Sequence, residues 1–356
     1  TLLASARMTA ALPAATAPGA ANDPANAGWL ELTPNAQGQV GAAVFNTPIS
    51  SLAGMRIAFD YAMYQDLTHG GINAPNFVGD GLTLFLTEGS AAPSVGGGGM
   101  GLGYSFGDAT GANNQSGVTG GYLGLGLDRY GAFSNAPMAG DPSAGYVALR
   151  GSHLLPTGFT HIARSQALSL ASLRTAPKQV QITITAAPDI SVLASIDGVQ
   201  VLSQDLVIAG VPIADMAATP DSFKLGLSAG TGAASQSHQI RNLVVSSLTP
   251  LTPVDDRFVV TGVLNDSVRS NDSNPFSAAE HTVLMAPPAA QGQLALNADG
   301  SFSFSPASGF TGTRFSYQVC AGPAGALPCA QAQVALSLAS PSAPGSAGLL
   351  PNSSIG

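Results

Sequence analysis

The chain has 356 residues, a formal charge of −8 and only 9% charged residues, against about 25% in an ordinary soluble protein. Its length points to two domains, its acidic balance offers no basic patch for nucleic acid, and it has no run of about 18 apolar residues that would read as a transmembrane helix. Low charge with abundant Gly, Ala, Ser, Thr and Asn fits a secreted or surface-exposed β-protein. The sequence opens on Thr1, so either a leader has been removed or the chain belongs to a longer protein.

In chain order, short runs rich in Val, Ile, Leu, Phe and Tyr predict strands at Met55–Tyr64, Leu82–Leu86, Tyr122–Leu127, Tyr146–Leu149, Val180–Thr185, Ile190–Ile196, Phe223–Ser228 and Ile240–Val245. Clusters of Gly, Pro, Asn and Asp separate them. Asp197-Gly198 predicts a tight hairpin, and Ile213–Met216 a turn or short helix. Ser247–Pro253 carries two prolines in a place where the strand pattern lapses, and reads as a linker. Beyond it, period-two alternation on both sides of Asp299-Gly300 predicts a second hairpin. The Ser, Pro and Gly of 340–356 read as a tail. Many short strands with turn signals and no sustained helical period predict an all-β protein built from sandwiches.

Two apolar runs end in a carboxylate: Gly79-Asp80-Gly-Leu-Thr-Leu-Phe-Leu86 and Gly121-Tyr-Leu-Gly-Leu-Gly-Leu-Asp128. An unpaired charge serves a core poorly, so such a residue meets a ligand, a metal or a capping amide. Between them lies Gly96–Gly99, whose backbone can approach a ligand closely. No Lys-Ser/Thr follows it, which excludes a phosphate loop. These motifs, with Gly28–Thr33, Gly98–Tyr104, Leu123–Asn135, Leu225–Gly232 and the strand from His238, occur in an order that resembles a bacterial branch of the L-type (legume-lectin-like) lectin domain. The resemblance covers 1–248 and implies a concanavalin-like jelly roll.

That resemblance implies a carbohydrate site made of Asp80, Gly98, Gly99, Tyr130, Asn135, Gly230 and Thr231. A carboxylate such as Asp80 accepts strongly from sugar hydroxyls; the alternative is an Asp-Gly turn at a strand start. The glycine run either offers amides to a hydroxyl or is a loop without a ligand. Tyr130 and Phe133 either stack on a pyranose face or pack in the loop. The resemblance also implies calcium, held by the oxygens of Asp128, Asn135 and Asp141; otherwise Asp128 braces the loop through its amides. The family's glutamate two positions before the aspartate is here Gly126, so no transition metal is expected. His238 reads as a structural histidine.

Residues 254–339 resemble the Ig-like or cadherin-like modules of bacterial adhesins, on Asp255-Asp256, Gly262–Asp266, Leu296–Phe304 and Gly309–Thr313 followed by Phe315–Val319. Asp255, Asp256, Asp266 and Asp272 are either a calcium site, as in cadherin-like modules, or solvated turn carboxylates. Cys320 and Cys329 flank a Gly/Pro turn, which predicts a hairpin closed by a disulfide; two buried free thiols are the alternative.

Glu31, Glu88 and Glu280 are isolated from one another, whereas a glycosidase needs paired carboxylates. Neither a nucleophile elbow nor a His-Glu-x-x-His motif occurs. The expectation is therefore a non-catalytic, extracellular or cell-surface carbohydrate-binding adhesin with a lectin-like domain (1–248), a linker (249–253), an Ig-like spacer (254–339) and a tail (340–356). Its partners would be glycans or polysaccharide and either further copies of itself or a larger surface protein. The alternative is a structural subunit of an extracellular filament, sheath or matrix.

Overall fold

A computed structural model of the chain describes residues 1–10, 23–68, 71, 73, 77–107, 116–135, 145–153, 158–214, 216–274, 276, 279–322 and 325–338. Asp141 and the segment 340–356 lie outside the described residues. The chain divides into two compact units. One comprises Thr1–Pro250 with Pro275–Ala278 and Cys320–Pro328; the other comprises Leu251–Asn274 and Ala279–Val319 and resumes at Cys329.

The strands of the larger unit are β1 (Leu2–Ala4), β2 (Arg7–Met8), β3 (Leu30–Thr33), β4 (Val40–Ser50), β5 (Met55–Tyr64), β6 (Gly81–Glu88), β7 (Gly121–Asp128), β8 (Tyr146–Arg150), β9 (His161–Arg164), β10 (Lys178–Ile184), β11 (Ser191–Ile196), β12 (Val199–Asp205), the short pair β13 (Val207–Ile208) and β14 (Val211–Pro212), β15 (Ser222–Gly230) and β16 (Ser237–Ser247). Apart from β13 and β14, which pair only with each other, they form two antiparallel sheets, with β1 pairing with β4. The front sheet runs β4-β15-β6-β7-β8-β9, and the back sheet β12-β11-β10-β5-β16-β3-β2. From β3 to β6, and again from β15 to β16, the chain passes from one sheet to the other at each connection, as a jelly roll does. The predicted hairpin at Asp197-Gly198 joins β11 to β12, with both residues at positive φ, the backbone a two-residue turn requires. At the predicted turn, the Met216 amide bonds the Ile213 carbonyl at 3.2 Å.

The core lies between the sheets. Leu82, Leu84 and Leu86 of β6 and Leu123, Leu125 and Leu127 of β7 meet Ile57, Phe59 and Tyr61 of β5 and Val180, Ile182 and Ile184 of β10. A second apolar layer covers the opposite face of the front sheet, where Phe85, Leu102, Tyr104, Val118, Phe133 and Phe159 pack together. This layer explains the Gly-x-Gly rhythm of β7. A Cβ on Gly124 would lie 2.3 Å from the Tyr104 ring, and one on Gly126 2.6 Å from the Phe133 ring. Only glycine leaves these rings room against the sheet. Gly126 thus has a packing role independent of any metal.

The smaller unit contains β17 (Asp256–Val260), β18 (Leu264–Ser267), β19 (Glu280–Met285), β20 (Gly292–Leu296) and β21 (Ser301–Pro306), with β22 (Thr313–Gly322) up to Val319 and β23 (Ala326–Leu338) from Cys329. One sheet holds β19, β22, β23 and β17; the other is β18-β21-β20. Phe302 of β21 joins them, with its ring centroid 5.1 Å from that of Phe258 on β17 and 5.7 Å from that of Phe315 on β22. This is the second sandwich. The Asp299-Gly300 turn links β20 to β21. Cys320 on β22 and Cys329 on β23 are both disulfide-bonded.

Candidate functional site at the rim of the front sheet

The sequence motifs, far apart in the chain, converge where β6 begins and β7 and β15 end. Asp80 precedes β6 and is 5% exposed. Its amide bonds the Gly230 carbonyl at 3.1 Å, and its carboxylate accepts from the Gly232 amide. The glycine loop lies on the same rim: a Cβ on Gly230 would stand 2.9 Å from the Gly99 nitrogen, and one on Gly232 3.4 Å from the Gly99 Cα and 3.2 Å from the Asp80 carboxylate. Asp80, Gly98-Gly99 and Gly230–Gly232 therefore form one close-packed surface, and side chains on these glycines would fill it.

The glycine loop is ordered by its own bonds. The Gly96 and Gly97 amides donate to the Gly103 and Ser105 carbonyls at 2.7 and 2.8 Å, and Ser228 of β15 anchors the Leu102 carbonyl at 2.8 Å. For the amides of Gly98 and Gly99, both buried, no acceptor occurs among the described residues. Buried amides are rarely left in this state.

Thr231 lies on the same segment but turns inward. Its hydroxyl donates to the Ala36 carbonyl at 2.6 Å and accepts from the Gln39 amide at 2.9 Å, while its own amide bonds the Gln39 carbonyl at 2.8 Å. Its side chain locks the loop to residues 36–39. Tyr130 is half-buried and packs edge-on against Phe77, with centroids 5.8 Å apart. Phe133 is fully buried in the second apolar layer.

Asp128 ends β7 and is fully buried. One carboxylate oxygen accepts from the Gly131 amide at 2.8 Å; the other accepts from the Ser134 amide and hydroxyl, each at 2.7 Å. Burial pushes its pKa up to about 6, against the opposing pull of the Ser134 and Gly131 bonds and of Arg150. The Asp80 carbonyl accepts from the Arg129 and Tyr130 amides at 2.8 and 3.1 Å, so the loop after β7 is tied to both aspartates. Asn135 ends the described part of this loop. Its side-chain amide donates to the Gly131 carbonyl at 2.7 Å, and its side-chain oxygen accepts from Arg164 at 2.6 Å.

Of the three calcium ligands implied by the resemblance, Asp141 lies outside the described residues. Both Asp128 oxygens accept from N–H and O–H donors, and the Asn135 side-chain oxygen accepts from a guanidinium, so a cation here would compete with these donors. Among the described residues no group of three His, Cys, Asp or Glu side chains could hold a metal.

The residue that sequence reasoning missed is Arg150, at the end of β8. It is 3% exposed and donates to the carbonyls of Phe133, Phe159 and Asn135 at 2.8, 2.8 and 2.7 Å. Burial lowers its pKa to about 10, and Asp128 opposes that shift. Its signal in the sequence was an arginine closing the apolar run Tyr146–Leu149 in a chain with few charges. His238 is a structural histidine, buried and bonded through Nδ1 to the Thr33 hydroxyl at 2.6 Å; burial pushes its pKa down to about 3. Glu31 is fully buried and bonded to Arg7 and Gln239 at 2.9 and 2.7 Å, an inward structural role.

In the smaller unit the four aspartates are not uniformly solvated. Asp255 accepts from the Gln333 amide at 2.9 Å, and Asp272 accepts from the Val254 amide at 2.7 Å and the Tyr317 hydroxyl at 3.2 Å. Asp256 is 5% exposed, with one buried oxygen lacking a partner.

Comparison with known proteins adds two findings. Residues 243–336 match the family model of a bacterial Ig domain. In structure the chain is similar to L-type lectin carbohydrate recognition domains. The VIP36 exoplasmic/lumenal domain, in its calcium- and mannose-bound form, gives a TM-score of 0.45 at 16% identity, over 70% of this chain and 83% of that one. The Emp46p carbohydrate recognition domain in its potassium-bound form gives 0.42 at 13%, over 69% and 87%. The Emp47p domain gives 0.40 at 12%, over 69% and 87%. Comparison with curated protein sequences gives no match.

Proposed function

We propose that the chain is a non-catalytic carbohydrate-binding protein that acts outside the cell or at its surface. Its site is the rim formed by Asp80, Gly98-Gly99 and Gly230–Gly232. The observation that carries this reading is the pair of buried Gly98 and Gly99 amides, which have no acceptor among the described residues, next to an acceptor-only carboxylate. A sugar hydroxyl both donates and accepts, so it meets a carboxylate and an amide at once. Tyr130 borders the rim loop and would offer ring surface to the sugar's C–H face. Asn135 and Thr231 support the site through the loops they fix.

The bacterial Ig match at 243–336 supports a surface location, with the smaller unit as a spacer. Among the described residues no helix is long and apolar enough to cross a membrane. A shallow, hydroxyl-rich ligand binds weakly at each site because desolvation offsets contact energy. Adhesion would therefore depend on display in several copies, through self-association or a larger surface protein.

A glycan array probed with the full chain and with Asp80→Ala tests the reading. The wild type should bind a defined set of glycans, and the variant should lose at least about 10-fold in affinity, as expected when hydrogen bonds to a charged group are removed. A well-folded Asp80→Ala protein that binds like the wild type would overturn it.

A further inference from the structure

We propose that Arg150 is a built-in cation which, paired with Asp128, holds the loop 129–135 in shape without any metal ion. The peptide groups of this loop divide cleanly between the two side chains. The amides of Gly131 and Ser134 and the Ser134 hydroxyl go to Asp128. The carbonyls of Phe133 and Asn135 go to the Arg150 guanidinium, which also takes the Phe159 carbonyl from the neighbouring segment. A buried carboxylate collects donors, a buried guanidinium collects acceptors, and the loop is clamped between them.

Bound calcium would order a loop by gathering carboxylates and backbone carbonyls around one charge. Here the carbonyls already have their cation. A guanidinium is planar, always charged and carries five N–H donors in a fixed fork, which suits three carbonyls arriving from different directions. The Phe133 ring packs 5.1 Å from the guanidinium carbon, so the cation is seated by an aromatic face as well as by oxygens. Arg164 adds a second guanidinium on the Asn135 side-chain oxygen and lies 4.5 Å from the Tyr146 ring. A divalent ion reaching Asp128 and Asn135 would compete with the donors already on them and settle beside two positive charges. The inference does not depend on what the rim binds, because it concerns how the loop is held.

Thermal melts of the full chain in chelator and in excess calcium, with a calorimetric calcium titration, test this directly. The wild type should melt at the same temperature in both and show no stoichiometric calcium uptake. Arg150→Met should lower the melting temperature by about 5 °C or more, speed amide exchange at Gly131 and Ser134 while β5 and β10 stay protected, and recover in part with added methylguanidinium. Arg150→Lys, which keeps the charge but loses the fork, should remain destabilised. Calcium binding that slows amide exchange at Gly131 and Ser134 in the wild type would overturn the proposal. So would an Arg150→Met protein with wild-type melting and exchange. If that variant does not fold, the wild-type calcium measurements decide alone.

Discussion

The rim loop of the larger unit and the aspartate cluster of the smaller unit handle buried carboxylates in opposite ways. Asp128 is fully buried, yet three donors face it and Arg150 lies within electrostatic reach. Asp256 is almost as buried by exposed area, has an oxygen without a partner and feels Asp272, Asp255 and Asp266 around it. The same side chain is a brace in one place and a liability in the other. What differs is the supply of donors. At the rim, Gly131 and Ser134 turn their amides onto Asp128, whereas in the smaller unit the Gln333 and Val254 amides go to Asp255 and Asp272 and one Asp256 oxygen is left without a donor.

The largest expected effect comes from removing the brace. Asp128→Ala leaves two buried amides and a buried hydroxyl without acceptors and Arg150 without its counter-charge. Each orphaned group costs about 1–3 kcal/mol, and partial relaxation brings the expected loss to about 3 kcal/mol. Denaturant unfolding followed through Trp29, the only tryptophan, reads this in the larger unit. A loss below about 1 kcal/mol would mean that the loop reorganises freely and that the contrast with Asp256 is empty. The next effect comes from the disulfide. Reducing the Cys320–Cys329 pair opens a short loop and should cost about 2–3 kcal/mol. Alkylation under native, unreduced conditions should label neither cysteine.

Much of this was legible in the sequence. Alternation and turn chemistry marked the strands, because a half-buried strand must alternate and a two-residue hairpin must place residues at positive φ. The convergence of Asp80, the glycine loop and Gly230–Gly232 was legible only through the order of motifs in a resembled family, since nothing in local spacing brings residues 80, 99 and 232 together. Gly124 and Gly126 looked like part of an apolar run. Their reason, the rings of Tyr104 and Phe133, comes from other segments. Asp128 and Asn135 have the oxygen chemistry of metal ligands, and sequence shows which atoms a side chain owns but not which donors fold onto them. Arg150 closes an apolar run, but its role was not legible for the same reason: its partners are three backbone carbonyls, and every residue has one.

The smallest expected effect separates the two units by pH. Burial, then Asp272, pushes Asp256 up to about 7, with further repulsion from Asp255 and Asp266 and an opposing bond from Asn271. A carboxyl whose pKa is higher folded than unfolded contributes stability that is full below its unfolded value, near 4, and lost as pH rises through about 7. The smaller unit should therefore gain stability on acidification from pH 8 to 5. The larger unit carries opposed contributions. Asp128, raised to about 6, acts in the same direction, whereas His238, held near 3 by burial, loses its contribution as pH falls below about 6.5. Its stability should change little over that range. Hydrogen exchange resolved by peptide, comparing β21 and β22 with β5 and β10, distinguishes the two. Asp256→Asn removes the charge while keeping the shape, so it should stabilise the smaller unit at pH 8 and flatten its pH dependence, leaving β5 and β10 unchanged. If Asp256→Asn keeps the wild-type slope, the carboxyl is solvated in the native protein and the cluster is an ordinary set of surface turns.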